Sequence, residues 1–164
     1  MSFSTQVKAE LCRAPLNRKC CAQAEAYGVL LYCSLSTPAE VRITTESPEF
    51  AARLPQLFQK AFQVRFDRLP AEGAGKRIFS ITQPDKLSAL WSVFGHDPAE
   101  ALVHHINYAV LEEDHCRTAF LRGAFLAGGS VTDPAKRYHL ELATSHLSVS
   151  RELHALLLEM GFSP

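Results

Sequence analysis

Ala119-Phe120-Leu121-Arg122-Gly123-Ala124-Phe125-Leu126-Ala127-Gly128-Gly129-Ser130-Val131 is the stretch on which the fold turns. It begins as an amphipathic helix and ends in a glycine pair that opens into a strand. Gly123, Ala124, Ala127 and Gly128 lie at helical spacing, so a second backbone can approach this face unusually closely. A helix with a glycine-bearing face calls for a partner of the same kind. A degenerate copy stands upstream, at Glu25-Ala26-Tyr27-Gly28-Val29-Leu30-Leu31-Tyr32-Cys33-Ser34-Leu35.

The duplication continues downstream of each copy. Cys33 to Ala39 leads into an alternating strand, Val41 to Thr45, and then a helix from about Pro48 to Phe62. Gly129 to Ala135 leads into Tyr138 to Thr144 and then a helix from about Leu147 to Met160. The shared order is helix, short strand, Pro-Ala turn, longer strand, helix. An internal repeat of this kind predicts pseudo-two-fold symmetry, with the helices around Gly28 and Gly123 side by side on the axis. The period is too long for a solenoid, so the repeats read as two halves of one domain.

Around this frame, Ser4 is placed to cap a short helix to about Arg13, which Pro15 ends. The first central helix runs from about Arg18 to Tyr32. Val41 and Ile43 face inward from their strand, with Arg42 and Thr44 on the other side. Phe50, Leu54, Leu57, Phe58 and Ala61 form one stripe of the next helix, in which Pro55 is placed to produce a kink. Val64 to Leu69 and Arg77 to Thr82 flank a glycine-containing loop and read as an antiparallel hairpin. Pro84 opens a helix carrying Leu87, Leu90, Trp91 and Phe94, all read as core. A further helical stretch spans Ala99 to His105, and the second central helix starts near His115.

The segment Leu121 to Gly129 resembles the LAGLIDADG motif of homing endonucleases. Over essentially the whole chain the pattern is similar to a non-enzymatic branch, the WhiA family. That resemblance rests on Ser2-Phe3-Ser4 with Val7-Lys8-Ala9-Glu10-Leu11, on Cys20-Cys21, and on Arg122 to Val131 running into Asp133-Pro134 and Tyr138-His139-Leu140-Glu141. It implies an α+β, LAGLIDADG homing-endonuclease-like fold. The two pseudo-symmetric halves would have mixed or antiparallel sheets covered by helices on one face. It divides the chain into an N-terminal arm (1–17), a first half (18–108) and an incomplete second half (109–164). The hairpin and last helix of the second half would be absent, as would the C-terminal helix-turn-helix domain. It further implies a DNA-binding regulator of sporulation, cell division and chromosome segregation. DNA would be bound mainly through the absent domain, and a protein partner is a further possibility.

The expected chemistry is decided by an absence. A LAGLIDADG nuclease needs one carboxylate at the end of each central helix, where the pair holds divalent metals that activate water. Aligning the motif puts Tyr32 and Gly128 there, and neither offers a hard-cation ligand. Asp133 lies beyond the short strand and Glu25 at the far end of its helix. Function belongs to the site and not the fold, so the chain is read as having no nuclease activity, no catalytic residue and no cofactor. A metal-dependent endonuclease is the alternative that Tyr32 and Gly128 argue against. A protein-interaction module without DNA contact is the other.

By analogy with the sheet saddle of homing endonucleases, the DNA-contact candidates are Arg42, Thr44, Arg65, Arg77, Lys136, Arg137 and His139. Glu141 shares the face of His139 and opposes phosphate. Ordinary solvated strand residues would show the same pattern. Basic and acidic residues balance at 17 each, which argues against a strong electrostatic clamp on DNA by this chain alone. Central packing is assigned to Gly28, Gly123, Ala124, Ala127 and Gly128. Arg122 reads as a salt-bridge or carbonyl partner rather than a catalyst, and Glu112-Glu113-Asp114 as a solvated connection.

The 47% apolar content is enough for a core, and no run is long enough to cross a bilayer. With no apolar leader in view, a cytoplasmic, nucleoid-associated location is expected. The five cysteines read as reduced thiols. A zinc site would recruit Cys116 with His115, or His104-His105. No Cys-x-x-Cys spacing exists, so no metal is assigned. Cys33 and one of Cys20-Cys21 read as small core residues, and His104, His105 and His115 as surface or capping groups.

Overall fold

Two helices lie at the centre of the molecule, one apolar and small-residued nearly all round and the other carrying a small-residued apolar face against it. These are α2 (Lys19–Tyr32), buried almost continuously from Ala22 to Tyr32, and α5 (Asp114–Gly128). They form the centre of an α+β architecture seen in a computed structural model, which describes residues 2–73, 75–96 and 104–164.

The other elements surround this pair. Helix α1 (Phe3–Leu11) precedes α2, and strands β1 (Leu35–Ser36) and β2 (Val41–Thr45) follow it. Next come α3 (Pro48–Phe62), β3 (Arg77–Ile81) and α4 (Pro84–Ser92). A 3-10 turn (Tyr108–Leu111) leads into α5. Strands β4 (Gly129–Val131) and β5 (Leu140–Leu142) and helix α6 (Leu147–Glu159) complete the described order. Antiparallel pairing gives one sheet in the order β1-β2-β3 and a second made of β4 and β5.

Several elements form where local chemistry places them. Ser47 caps α3, its Oγ accepting from the Phe50 N–H at 3.2 Å. Helix α3 continues through the exposed Pro55 and ends at Gln63, whose φ of 56° is left-handed. Its expected stripe is buried in full. Trp91 and Phe94 are core residues as expected. Phe94 stacks on Tyr27 at 4.1 Å, and Phe120 meets the same ring edge-on at 5.6 Å.

Other elements differ from the sequence expectation. Ser2, not Ser4, caps α1, accepting from the Thr5 N–H at 3.1 Å. Ser4 Oγ accepts from the Val131 N–H at 3.4 Å, tying α1 to β4. The hairpin partner expected at Val64 to Leu69 shrinks to a single antiparallel bridge, Arg68 to Ser80. The cause is Asp67. The Asp67 carboxylate accepts from the Thr82 and Gln83 N–H groups at 2.7 and 3.0 Å, pinning the segment that leads into α4. The strand expected over Tyr138 to Thr144 forms only at Leu140–Leu142, because Asp133 organises the preceding turn. Its carbonyl accepts from the Lys136 and Arg137 N–H groups, and its Oδ1 from Ala135. Most of the expected Ala99–His105 helix lies outside the described residues. His104 and His105 themselves are not helical.

Candidate functional site: the seam between the central helices

The seam is a contact between backbones. A Cβ added at Gly123 would overlap the Glu25 carbonyl, and one at Gly28 the Phe120 carbonyl, with Ala124 N at 2.7 Å. The two contacts are related by the same shift of 95 positions that separates Cys20 from His115. The expected two-fold relation is therefore present in the packing itself. Ala124 is fully buried in the seam, whereas Ala127 is half-buried.

That register bears on the expected catalytic positions. By helix ends, Tyr32 matches Gly128; by the packing shift, Cys33 does. None of the three offers a carboxylate. A Cβ at Gly128 would lie 2.5 Å from the Ala143 carbonyl oxygen and 2.9 Å from that of Tyr32, so this end of α5 has no room for a larger side chain. Burial pushes the Cys33 thiol up to about 12, and the Leu30 and Leu35 carbonyls accept its S–H contacts at 3.4 and 3.3 Å. The Tyr32 phenol is likewise raised by burial, and its hydroxyl has no hydrogen-bond partner among the described residues.

The carboxylate nearest the seam is already committed. Glu25 is fully buried and accepts from Arg53 Nε at 2.7 Å, Arg53 NH2 at 2.9 Å and Arg122 NH1 at 2.9 Å. Arg53 also donates to the Cys12 and Ala14 carbonyls at 3.2 and 2.7 Å. Burial alone would lower the Arg53 pKa, but the hydrogen bond and charge of Glu25 raise it on balance. One carboxylate thus joins α2, α3, α5 and the segment after α1. The expected salt-bridge role of Arg122 is observed. Arg53 was not anticipated; its only signal was a charged residue on the apolar stripe of α3.

Beyond the seam's end the surface is an apolar cavity of about 810 Å³, lined by Leu11, Tyr32, Phe125, Leu140, Leu157 and Phe162 among others. The charged or titratable groups on its described lining are Arg122, His154 and the Tyr32 phenol. Its described lining carries no Asp or Glu side chain to hold a hard divalent cation.

The DNA-contact candidates do not form one cluster. Register places Arg42 opposite Ser80 and Thr44 opposite Ile78, on the face turned away from Val41 and Ile43. Arg77 pairs with Thr45, so the pleat puts it on the other side of the sheet from Arg42. Its guanidinium is used by the Glu46, Gly75 and Gly73 carbonyls at 3.2, 3.2 and 3.4 Å. Arg42 is bidentate to Glu40 at 3.0 and 3.1 Å. Arg65 is exposed beside the bridge strand. Lys136 and Arg137 are exposed in the β4–β5 turn rather than on a strand. His139 lies just before β5, 3.2 Å from Glu141, as their shared face suggested.

One histidine departs from the surface reading. His104 is buried, stacks on Trp91 at 4.8 Å and bonds the Ser36 carbonyl at 2.9 Å. His96 bonds Tyr27 Oη at 2.9 Å. That oxygen also accepts from the Asn107 N–H at 2.8 Å and donates to the His105 carbonyl at 2.9 Å. With its one proton committed, the phenol must accept from His96, which fixes the Nε2–H tautomer.

Residues 117–164 match the family described as the WhiA LAGLIDADG-like domain. The chain is 32% identical over 166 residues to the probable cell division protein WhiA of Ruminiclostridium cellulolyticum, covering 96% of this chain and 53% of that protein. It is 30% identical over 171 residues to the protein of the same description from Alkaliphilus metalliredigens, covering 96% and 54%. A solved structure of the N-terminal LAGLIDADG domain of DUF199/WhiA matches with a TM-score of 0.63 at 22% identity, covering 94% of this chain and 71% of that one. The fold is that of the WhiA LAGLIDADG-like domain, as the motif implied. The chain spans about half the length of the curated relatives it matches.

Proposed function

Because this chain corresponds to the N-terminal portion of WhiA-family proteins, we propose that it is a non-catalytic scaffold acting in cell division. In our reading it assists a DNA-binding regulator whose roles extend to sporulation and chromosome segregation. The observation that carries the non-catalytic part is the closed end of the seam. Tyr32, Cys33 and Gly128 meet the positions where metal-binding carboxylates would be needed, and the space a side chain at Gly128 would require is filled by the Ala143 and Tyr32 carbonyls. The Glu25 carboxylate, neutralised by two guanidiniums, is not free to replace them. The central helices then act as a rigid core for the loops and strands around them.

A weak, auxiliary contact with nucleic acid is supported by the exposed cations Lys136 and Arg137 and by Arg42 on the outward face of β2. The Glu40 and Glu141 partners limit its strength. The apolar cavity beside α6 favours a second reading, in which the same scaffold docks a protein surface.

Incubation with supercoiled plasmid and Mg²⁺ is expected to give neither nicked nor linear product. Chelator-sensitive cleavage would overturn the non-catalytic reading. In a salt titration of duplex binding, changing Arg42 and Arg137 together to Ala is expected to weaken binding and flatten its salt dependence. Unchanged binding would favour the protein-docking reading.

A further inference from the structure

Pairs of metal-binding residues stand at the start of each central helix, in equivalent places. Cys20 and Cys21 are in the first turn of α2; His115 and Cys116 are in the first turn of α5. The shift of 95 positions that superposes the glycine contacts carries Cys20 onto His115 and Cys21 onto Cys116. The helix crossing brings the two pairs together, and their three Sγ atoms and one imidazole nitrogen all lie within 4.8 Å of one another. We propose that Cys20, Cys21, His115 and Cys116 form a binding site for one soft divalent cation of the zinc class.

The donor set fits such an ion. Three sulfurs and one imidazole nitrogen are a recognised tetrahedral combination for zinc. Zinc held about 2.3 Å from sulfur and about 2.0–2.1 Å from nitrogen sets neighbouring ligand atoms roughly 3.6–3.8 Å apart. Cys20 Sγ and His115 Nε2 are already 3.8 Å apart, and the widest pair must close by about 1 Å, within the reach of χ1 rotation. Cys116 is buried, Cys21 and His115 are partly covered and Cys20 is exposed, so the cluster has a floor and an open side for entry. Two helix N-termini converge on it, and their dipoles favour thiolates. Three thiolates with a divalent cation leave one net negative charge, which those dipoles offset. Bound there, the ion would clip α2 to α5 at the end opposite Tyr32 and Gly128. No Cys-x-x-Cys motif is needed, because each half supplies two consecutive residues and the crossing supplies the geometry. This inference stands apart from any role in DNA or protein binding.

The test is titration of the reduced, chelator-treated protein with Co²⁺, followed by displacement with Zn²⁺. The expected result is one Co²⁺ per chain with the visible absorption of a tetrahedral thiolate site, and a higher melting temperature when Zn²⁺ is bound. Cys20→Ser, an exposed change compatible with folding, and His115→Ala should each weaken binding. The loss should be at least the roughly 10–100-fold seen when a group supporting a metal ligand is removed. Cys12→Ser should leave binding unchanged, and circular dichroism checks that each variant is folded. Absence of a thiolate–cobalt spectrum would overturn the proposal, as would Cys20→Ser and His115→Ala variants that bind as tightly as the unaltered chain. So would a Cys20–Cys116 disulfide formed in air by a protein that takes up no metal when reduced.

Discussion

Gly123 shows how one missing methyl group sets the distance between two helices. Its α-carbon faces the Glu25 carbonyl so closely that a Cβ would overlap the oxygen. Alanine there gains about 1 kcal/mol of helix propensity but forces backbone against backbone, which no rotamer can relieve. Overpacking of this kind costs about 3 kcal/mol. The net loss of about 2 kcal/mol is expected to make Gly123→Ala lower the melting temperature by roughly 4–8 °C, measured by thermal denaturation followed at 222 nm. An unchanged midpoint would mean the helices can separate freely. The motif made this legible, because small residues at helical spacing have few other uses. The burial of Glu25 between Arg53 and Arg122 was not legible: charges 28 and 97 positions apart give no sign in sequence that they meet.

Among the elements, α4 depends on a residue outside it. Gln83 stands at its N-cap without a side-chain capping bond. The Asp67 carboxylate holds the approach to the helix instead, accepting from the Thr82 and Gln83 N–H groups just before the first turn and pairing with Lys86 Nζ, inside that turn, at 2.6 Å. Burial raises its pKa, but the Lys86 hydrogen bond and charge and the two N–H bonds lower it on balance. A carboxyl whose folded pKa lies below its unfolded value stabilises the fold above the unfolded value, near 3.9. That stabilisation is lost as pH falls through the folded pKa. Asp67→Asn is expected to reduce stability at pH 7 by about 1 kcal/mol and to flatten the acid limb below about pH 4, read by urea titration at several pH values. The helices were readable from caps and periodicity, with α3 falling at the expected bounds. The partner strand at 64–69 was not, because the alternation of Val64 and Phe66 is satisfied by burial against Phe58 and Phe79 without a ladder of backbone bonds.

At the scale of the whole molecule, histidines from separate segments gather beside Trp91. His96 lies 6.1 Å from His104, and His104 lies 4.5 Å from His146. Burial lowers the His96 pKa, followed by the His104 and His105 charges, with Glu152 opposing. Burial and then His104 lower that of His146. Both are neutral in the fold at pH 7, while an unfolded chain protonates near 6.5. Below that value the unfolded state binds more protons, so stability falls with pH until the folded values are reached. Unfolding free energy is expected to drop between about pH 7 and 5, and the drop should shrink in a His96→Gln, His146→Gln variant. An identical slope in that variant would place the pH sensitivity elsewhere.

By itself the sequence determined the duplicated frame, the glycine seam and the absence of carboxylates at Tyr32 and Gly128. Each rests on residue type at local spacing, and backbone geometry converts such spacing directly into a face or a contact. Only the tertiary structure decided which distant groups share a neighbourhood: Glu25 with two arginines, Arg42 on the opposite side of the sheet from Arg77, and three cysteines and a histidine gathered from two helices. Those encounters depend on how helices cross and how strands register. No local pattern encodes that, because burial and close packing select it from the whole chain at once.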